Sequence, residues 1–326
     1  MSIYYDRRIS PGLVAALKPG GFAESLAQYA VSGQFSMDLQ LLGRPKDPVS
    51  SVSLYVGTTY VLKLRYWAGT ESVRLSASDT WATAKNGWRS SWEASRSVQS
   101  VAGSWHEVEA YLERVIPRVT ARHLKEGRVQ AAIARYPHPD LVIIDREAVM
   151  GFKDEANGGE TLRSRLLKPL LVSVEGSEHP WWKPKLPGNE CDAVAISRDG
   201  EILAIEVKPE RVDIAWAPLQ AHHYADLLQT WADQTPNAAE ILAGMYQQRA
   251  DIGLVKASWP VRITNPIRVR PVVAVTAGAS KEYQTRIRLV YERIRKAGLD
   301  SPTMQFRAVS LVGRLDEWRL DEPLPD

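Results

Sequence analysis

The tripeptide Arg198-Asp199-Gly200 stands between two short apolar runs, Ala193 to Ile196 and Ile202 to Ile205. A break of this kind between strand-forming runs calls for a tight β-hairpin. Two turn geometries are open to it. A two-residue turn at Asp199-Gly200 pairs Asp192 with Val207, whereas a three-residue turn with Gly200 in the left-handed position of a bulge pairs Asp192 with Glu206. Glycine at the third loop position favours the second, because it takes positive φ without steric penalty. In that register Asp192, Glu206 and Lys208 project from one face of the sheet.

The rest of the chain arranges itself around this hairpin. Before it, Val52 to Val56, the turn Gly57-Thr58-Thr59 and Tyr60 to Trp67 read as a second hairpin, with Ser72 to Leu75 as a further strand. Trp67, Trp81, Trp88, Trp92 and Trp105 crowd this region and are expected to pack core and edges. Two helices follow, Trp105 to Ile116 and Val119 to Arg135, separated at Pro117. Leu141 to Ile144 reads as a short buried strand. The polar, glycine-rich stretch from Lys153 to Gly159 is the best boundary, giving an accessory domain over 1–155 and a second domain over 156–326.

Beyond the boundary, helices alternate with apolar strands. Helices are expected at Glu160 to Leu171, Pro218 to Trp231 and Gln284 to Lys296. Strands are expected within Asp192 to Lys208, at Pro271 to Val275 and at Phe306 to Val312. This alternation predicts an α/β (α+β) fold, a sheet covered by helices on both faces.

Composition excludes several classes. With 24% charged and 44% hydrophobic residues the chain is not disordered. No run approaches the roughly 18 apolar residues of a membrane helix, and Met1 to Ser10 lacks the apolar stretch of a secretory signal. The single Cys191 permits neither an internal disulfide nor a thiolate zinc cluster, so a cytoplasmic protein without a membrane partner is expected. A thiol nucleophile at Cys191 has no local signature to support it.

Two carboxylates and a lysine in an otherwise apolar hairpin are costly unless something compensates them. A strand-end salt bridge is one answer, and Glu-Val-Lys taken alone favours it. A divalent cation held by Asp192 and Glu206 is the other, and hard oxygen ligands suit Mg²⁺ or Mn²⁺.

Asp192 followed after a hairpin by Glu206-Val207-Lys208 resembles the core motif of the PD-(D/E)XK, or restriction-endonuclease-like, nucleases. Gln220-Ala-His-His-Tyr224 on the next helix resembles the Gln-x-x-x-Tyr motif of the RecB-like branch, and the pair shares a helix face one turn apart. The resemblance covers roughly residues 160–312, with Cys191 where the family often has proline. It implies a restriction-endonuclease-like mixed sheet flanked by helices, preceded by a smaller strand-containing domain. It further implies Mg²⁺-dependent hydrolysis of phosphodiester bonds, in DNA ahead of RNA. Asp192 and Glu206 would hold the metal with the Val207 carbonyl as a third ligand. Lys208 would position water, and Gln220 and Tyr224 would support site and substrate. The family's further acidic residue from a preceding helix has Glu160 as its candidate, with Glu190 second. Pro139-Asp140 lies 66 residues before Glu206, too far for one hairpin.

The formal charge of +3 conceals an uneven distribution. Lys256 to Lys296 carries ten basic and two acidic residues, a net +8 in 41 positions. Because Tyr283, Ile287, Val290 and Ile294 form the core stripe of that helix, its arginines are expected on the solvent side, where Arg286, Arg288 and Arg293 would meet phosphates. The loop His179 to Gly188 adds Trp181, Trp182, Lys183 and Lys185, which suit base stacking and backbone contact or equally a rigid packing loop. His222 and His223 point about 100° apart, so they cannot share one metal; they are expected to pack or sit at the surface. The alternative function is a nucleic-acid-binding or assembly module that keeps the fold without cleaving. A restriction or phage-defence role, with a second copy or a defence protein as partner, follows from the family alone.

Overall fold

The computed structural model describes residues 2–32, 37–43, 49–120, 125–152, 160–176, 179, 181–184, 186–209 and 212–324, with backbone alone at 120, 125, 126, 160, 161, 212 and 213. The fold is mixed α/β, with three sheets among the described residues. Its contacts divide it into two compact units. One comprises Asp6–Arg135 with Gly244–Lys256; the other comprises Met1–Tyr5, Tyr136–Ala243 and Ala257–Asp326. This corrects the division expected at 155/156. The strand Leu141–Val149 precedes that point yet pairs antiparallel with Glu190–Ser197, since its buried run needs an apolar neighbour. The stretch 153–159 itself lies outside the described residues.

After β1 (Ile3–Tyr4), the five-stranded unit contains α1 (Pro11–Leu17), α2 (Glu24–Val31), β2 (Met37–Leu42), β3 (Val49–Val56), β4 (Thr59–Trp67), β5 (Ser72–Ser76) and β6 (Arg96–Ser97). It continues with α3 (Val98–Gly103), α4 (Trp105–Thr120) and α5 (Lys125–Arg135). The strands form an antiparallel meander in chain order. One face is apolar, through Leu39 and Leu41, Val52 and Leu54, Leu62 and Leu64, and Val73 and Leu75, all buried. Against this core lie Val108, Leu112, Val115 and Val119 of α4, spaced as one helical stripe. Trp88, Trp92 and Tyr111 close it with edge-to-face ring contacts at 5.1–6.1 Å. Pro117 does not divide the helix. It falls in the last turn of α4, where a proline removes one terminal hydrogen bond and the helix runs on to Thr120.

The six-stranded unit contains β7 (Leu141–Val149), β8 (Gly151–Phe152), α6 (Glu160–Ser173), β9 (Glu190–Ser197), β10 (Ile202–Lys208) and α7 (Ala217–Gln234). Then come α8 (Ala238–Asp251), whose residues from Gly244 group with the other unit, β11 (Val269–Thr276), α9 (Lys281–Lys296), β12 (Gln305–Val309) and β13 (Leu315–Glu317). The sheet order is β13-β12-β11-β10-β9-β7. β10, β11 and β12 are parallel and the remaining pairs antiparallel. The connections between parallel strands carry α7 and α9, because a parallel crossover needs a helix-length return. β9 to β11 are buried on both faces. Val273, Val275, Phe306 and Ile287 pack on one core, and Leu167, Leu170, Trp216, Leu219 and Val290 on another.

Candidate active site

The hairpin adopts the three-residue loop. Ser197 and Glu201 face each other, with the Ser197 N–H donating to the Glu201 carbonyl at 2.9 Å and the Gly200 N–H to the Ser197 carbonyl at 2.9 Å. Gly200 has φ +87°, and a Cβ there would stand 3.0 Å from the Arg262 carbonyl and 3.1 Å from the Thr264 nitrogen. Glycine is needed for both reasons. The ladder that follows pairs Ile202 with Ile196 and Ile205 with Ala193. The next position sets Asp192 beside Glu206.

Three groups meet there. The Lys208 ammonium lies 2.5 Å from Glu206 Oε1, both side chains nearly excluded from solvent at 13% and 3%. The Val207 N–H donates to Asp192 Oδ2 at 2.7 Å, which fixes the half-buried Asp192 carboxylate over the strand edge. The N–H and C=O of one strand residue point the same way, so the Val207 carbonyl also turns toward Asp192. From α7, Tyr224 is buried and accepts the Gln220 side chain as a hydrogen-bond partner. Its hydroxyl is driven up by burial and then by Glu206, Cys191 and Asp192, so it stays protonated.

A residue that sequence reasoning does not single out joins them. β7 pairs Arg146 with Ala193 and Ala148 with Cys191, which places Glu147 opposite Asp192. Glu147 takes φ +48°, an uncommon conformation for a residue with a side chain. Its carboxyl is pushed up to about 8 by burial, by a hydrogen bond with Glu190 and by the charge of Asp192. Glu147, Asp192 and Glu206 thus form one row on three adjacent strands, spaced about 4.8 Å apart. The signal that could have found Glu147 is acidic Glu-Ala-Val closing an otherwise apolar strand, but its register depends on an irregularity between Ile143 and Asp145.

Other candidates fall elsewhere. Glu160 opens α6, and its side chain lies outside the described residues, as does Lys185. Glu190 is exposed and bound to Glu147. Lys183 and Arg288 are exposed. Arg286 and Arg293 are not free on the solvent side. Arg286 stacks on Trp181 at 5.0 Å and pairs with Glu282; Arg293 stacks on Trp182 at 5.0 Å and donates to the Glu175 carbonyl at 2.7 Å. Trp182 in turn donates to the Val174 carbonyl at 2.6 Å and meets Trp216 edge-on at 5.3 Å. The loop is therefore pinned to α9 by cation–π contacts, and its tryptophans serve packing. Both histidines are buried. His222 faces Asp300 at 3.5 Å, and His223 is pushed down to about 4 by burial and Arg163, so it is neutral.

Among the described residues no group of three or more His, Cys, Asp or Glu side chains stands in metal-binding arrangement. The oxygen set of Asp192, Glu206 and the Val207 carbonyl nonetheless has the chemistry of a magnesium site, because Mg²⁺ is commonly held by one or two carboxylates with water completing its shell. The acidity of Glu147, Tyr224 and Cys191 is depressed first by burial and then by the neighbouring carboxylates. No helix among the described residues is long and apolar enough to cross a membrane. Compared with protein-family models, with curated proteins and with solved structures, the chain matches none.

Proposed function

We infer that the chain is a metal-dependent nuclease of the restriction-endonuclease-like kind, hydrolysing phosphodiester bonds in DNA ahead of RNA. The observation that carries this reading is the convergence of Asp192, Glu206 and Lys208 at one strand edge, with Tyr224 and Gln220 behind them. The mixed sheet, in which this hairpin is flanked by a parallel neighbour and covered by α7, supports it.

Asp192 and Glu206 would hold Mg²⁺ or Mn²⁺, which would supply a more acidic water and charge stabilisation on the phosphoryl oxygens. The chain's own groups do the rest. Val207 holds the Asp192 carboxylate in one orientation through its N–H. Lys208 neutralises Glu206 and presents the ammonium that orients the attacking water and meets the developing phosphate charge. Tyr224, kept protonated and steered by Gln220, offers a hydrogen bond from the buried side. Glu147, protonated near neutral pH, limits repulsion on Asp192.

Titration calorimetry with Mg²⁺ and Mn²⁺, joined to cleavage of linear, circular, single-stranded and modified substrates, tests the reading. Metal binding with cleavage that Asp192→Ala and Lys208→Ala each abolish is the expected result. Absence of both metal binding and cleavage overturns it in favour of a non-cleaving module.

A further inference from the structure

Lys63, Arg65 and Arg74 stand together on the face of the five-stranded sheet opposite its apolar core, beside β2 and β3 positions (Asp38, Gln40, Ser51, Ser53) that are buried. Side chains alternate along a strand, so the positions between the core leucines and valines fall on the opposite face. These are Ser51 and Ser53 on β3, Lys63, Arg65 and Trp67 on β4, and Ser72, Arg74 and Ser76 on β5. The register sets Lys63 between Ser53 and Ser76, and Arg65 between Ser51 and Arg74. Arg65 and Arg74 are thus a directly opposed like-charged pair, their Cα atoms about 5 Å apart. Such pairs work against the sheet that contains them.

Among the described residues of this unit no acid relieves them. Asp38, on the same face of β2, lies 3.5 Å from Arg249. Among the described residues, Lys63, Arg65 and Arg74 form no ion pair with a carboxylate. Arg74 Nε is buried without a hydrogen-bond partner, and all three side chains are half-buried. Burial, then Arg65, then Arg7 hold the Lys63 ammonium below the ordinary lysine range. An arginine does not relieve crowding by losing its proton. The remaining relief is an anion from outside.

The chemistry of that anion follows from the lining. Guanidinium forks match phosphate oxygens in bidentate geometry, the half-buried Ser72 and Ser76 hydroxyls donate to the same oxygens while Ser51 and Ser53 are buried, and Trp67 provides a half-exposed ring at the end of the row. Cations repeat about 7 Å apart along β4 and about 5 Å apart across to β5. A single phosphate bridging Arg65 and Arg74 leaves Lys63 unmatched, whereas a chain of phosphates reaches all three. We propose that Lys63, Arg65 and Arg74, with Ser72 and Ser76 beside them, bind the phosphate backbone of a nucleic-acid strand. This site lies on a different unit from the acidic hairpin and does not depend on cleavage there.

Fluorescence anisotropy of a labelled oligonucleotide with the full chain, in chelator and between about 50 and 200 mM salt, tests the proposal. The double variant R65Q/R74Q is expected to bind at least about tenfold more weakly and to lower the slope of log K against log salt by about 2, one contact per arginine. If circular dichroism shows that the double variant fails to fold, R74Q alone is read, with a slope change of about 1. Unchanged affinity and slope, or no binding by the wild-type chain, overturns the proposal. Displacement of the oligonucleotide by inorganic phosphate at equal phosphate concentration overturns it in favour of a small phosphate ligand. Because cleavage is blocked throughout, a failed nuclease assay leaves this result standing, and a successful one does not rescue it.

Discussion

Each of the two larger sheets sets like charges directly across neighbouring strands, and each meets the repulsion differently. In the six-stranded sheet the row is acidic, Glu147 beside Asp192 beside Glu206, and it is relieved from within. Glu147 takes a proton, Lys208 lies against Glu206, and the Val207 N–H caps Asp192. In the five-stranded sheet the pair is Arg65 and Arg74, which have no carboxylate against them among the described residues. Carboxylates crowd safely in a buried place because protonation lies within reach of ordinary pH, whereas guanidinium groups crowd only where solvent or a ligand reaches them. The burial follows this rule: Glu206 is 2% exposed, while Arg65 and Arg74 are half-buried.

The comparison is broken most severely at the acidic row. Asp192→Asn and Glu206→Gln are each expected to slow metal-dependent cleavage by about a thousandfold, about 4 kcal/mol, in single-turnover assays. Their oligonucleotide affinity in chelator should stay within about twofold, since that binding is assigned to the other sheet. Next comes Lys208→Met, which strips Glu206 of its ion pair and is expected to cost about 3 kcal/mol in denaturant unfolding at neutral pH. Adding Glu206→Gln should restore most of that loss.

A smaller effect resides in Glu147. Its native value of about 8 exceeds the ordinary 4.5, so the folded chain binds the extra proton between those limits. Its contribution is complete below about pH 4.5 and declines as pH rises through 8. Glu147→Gln should remove this slope and gain about 2 kcal/mol over wild type at alkaline pH, read as the urea midpoint. Smallest is Arg74→Gln, expected to stabilise the chain by about 0.5 kcal/mol at low salt, with the gain vanishing at high salt. A loss of thermal stability instead would show that the arginine pair is not repulsive.

Much of the hairpin was legible before any coordinates, because one residue decided it. Gly200 selects the loop, the loop selects the register, and the register brings Asp192 to Glu206 and Lys208. Gln220 and Tyr224 were singled out by the resemblance to the Gln-x-x-x-Tyr motif, and helical spacing added only that they share a face. Glu147 did not, since its place opposite Asp192 depends on a register shift within β7 and on pairing across 45 positions of chain. Likewise, the helical period correctly put Ile287, Val290 and Ile294 inside, but it carries no information that Trp181 and Trp182 stand over Arg286 and Arg293. The domain division failed for a related reason: a glycine-rich stretch marks a break in regular structure, while long-range strand pairing decides which side a strand joins. α8 has a weak apolar stripe and was missed.

Cys191, the chain's single thiol, lies fully buried in β9 and donates toward the carbonyls of Ala193 and Ile205 at 3.2 and 3.6 Å. Burial, Asp192 and Glu206 keep it protonated and inert. A thiol reagent must therefore wait until β9 parts from β10, so its labelling half-life is a stopwatch for hairpin opening. Any cation that draws Asp192 and Glu206 together should lengthen the interval that the stopwatch records.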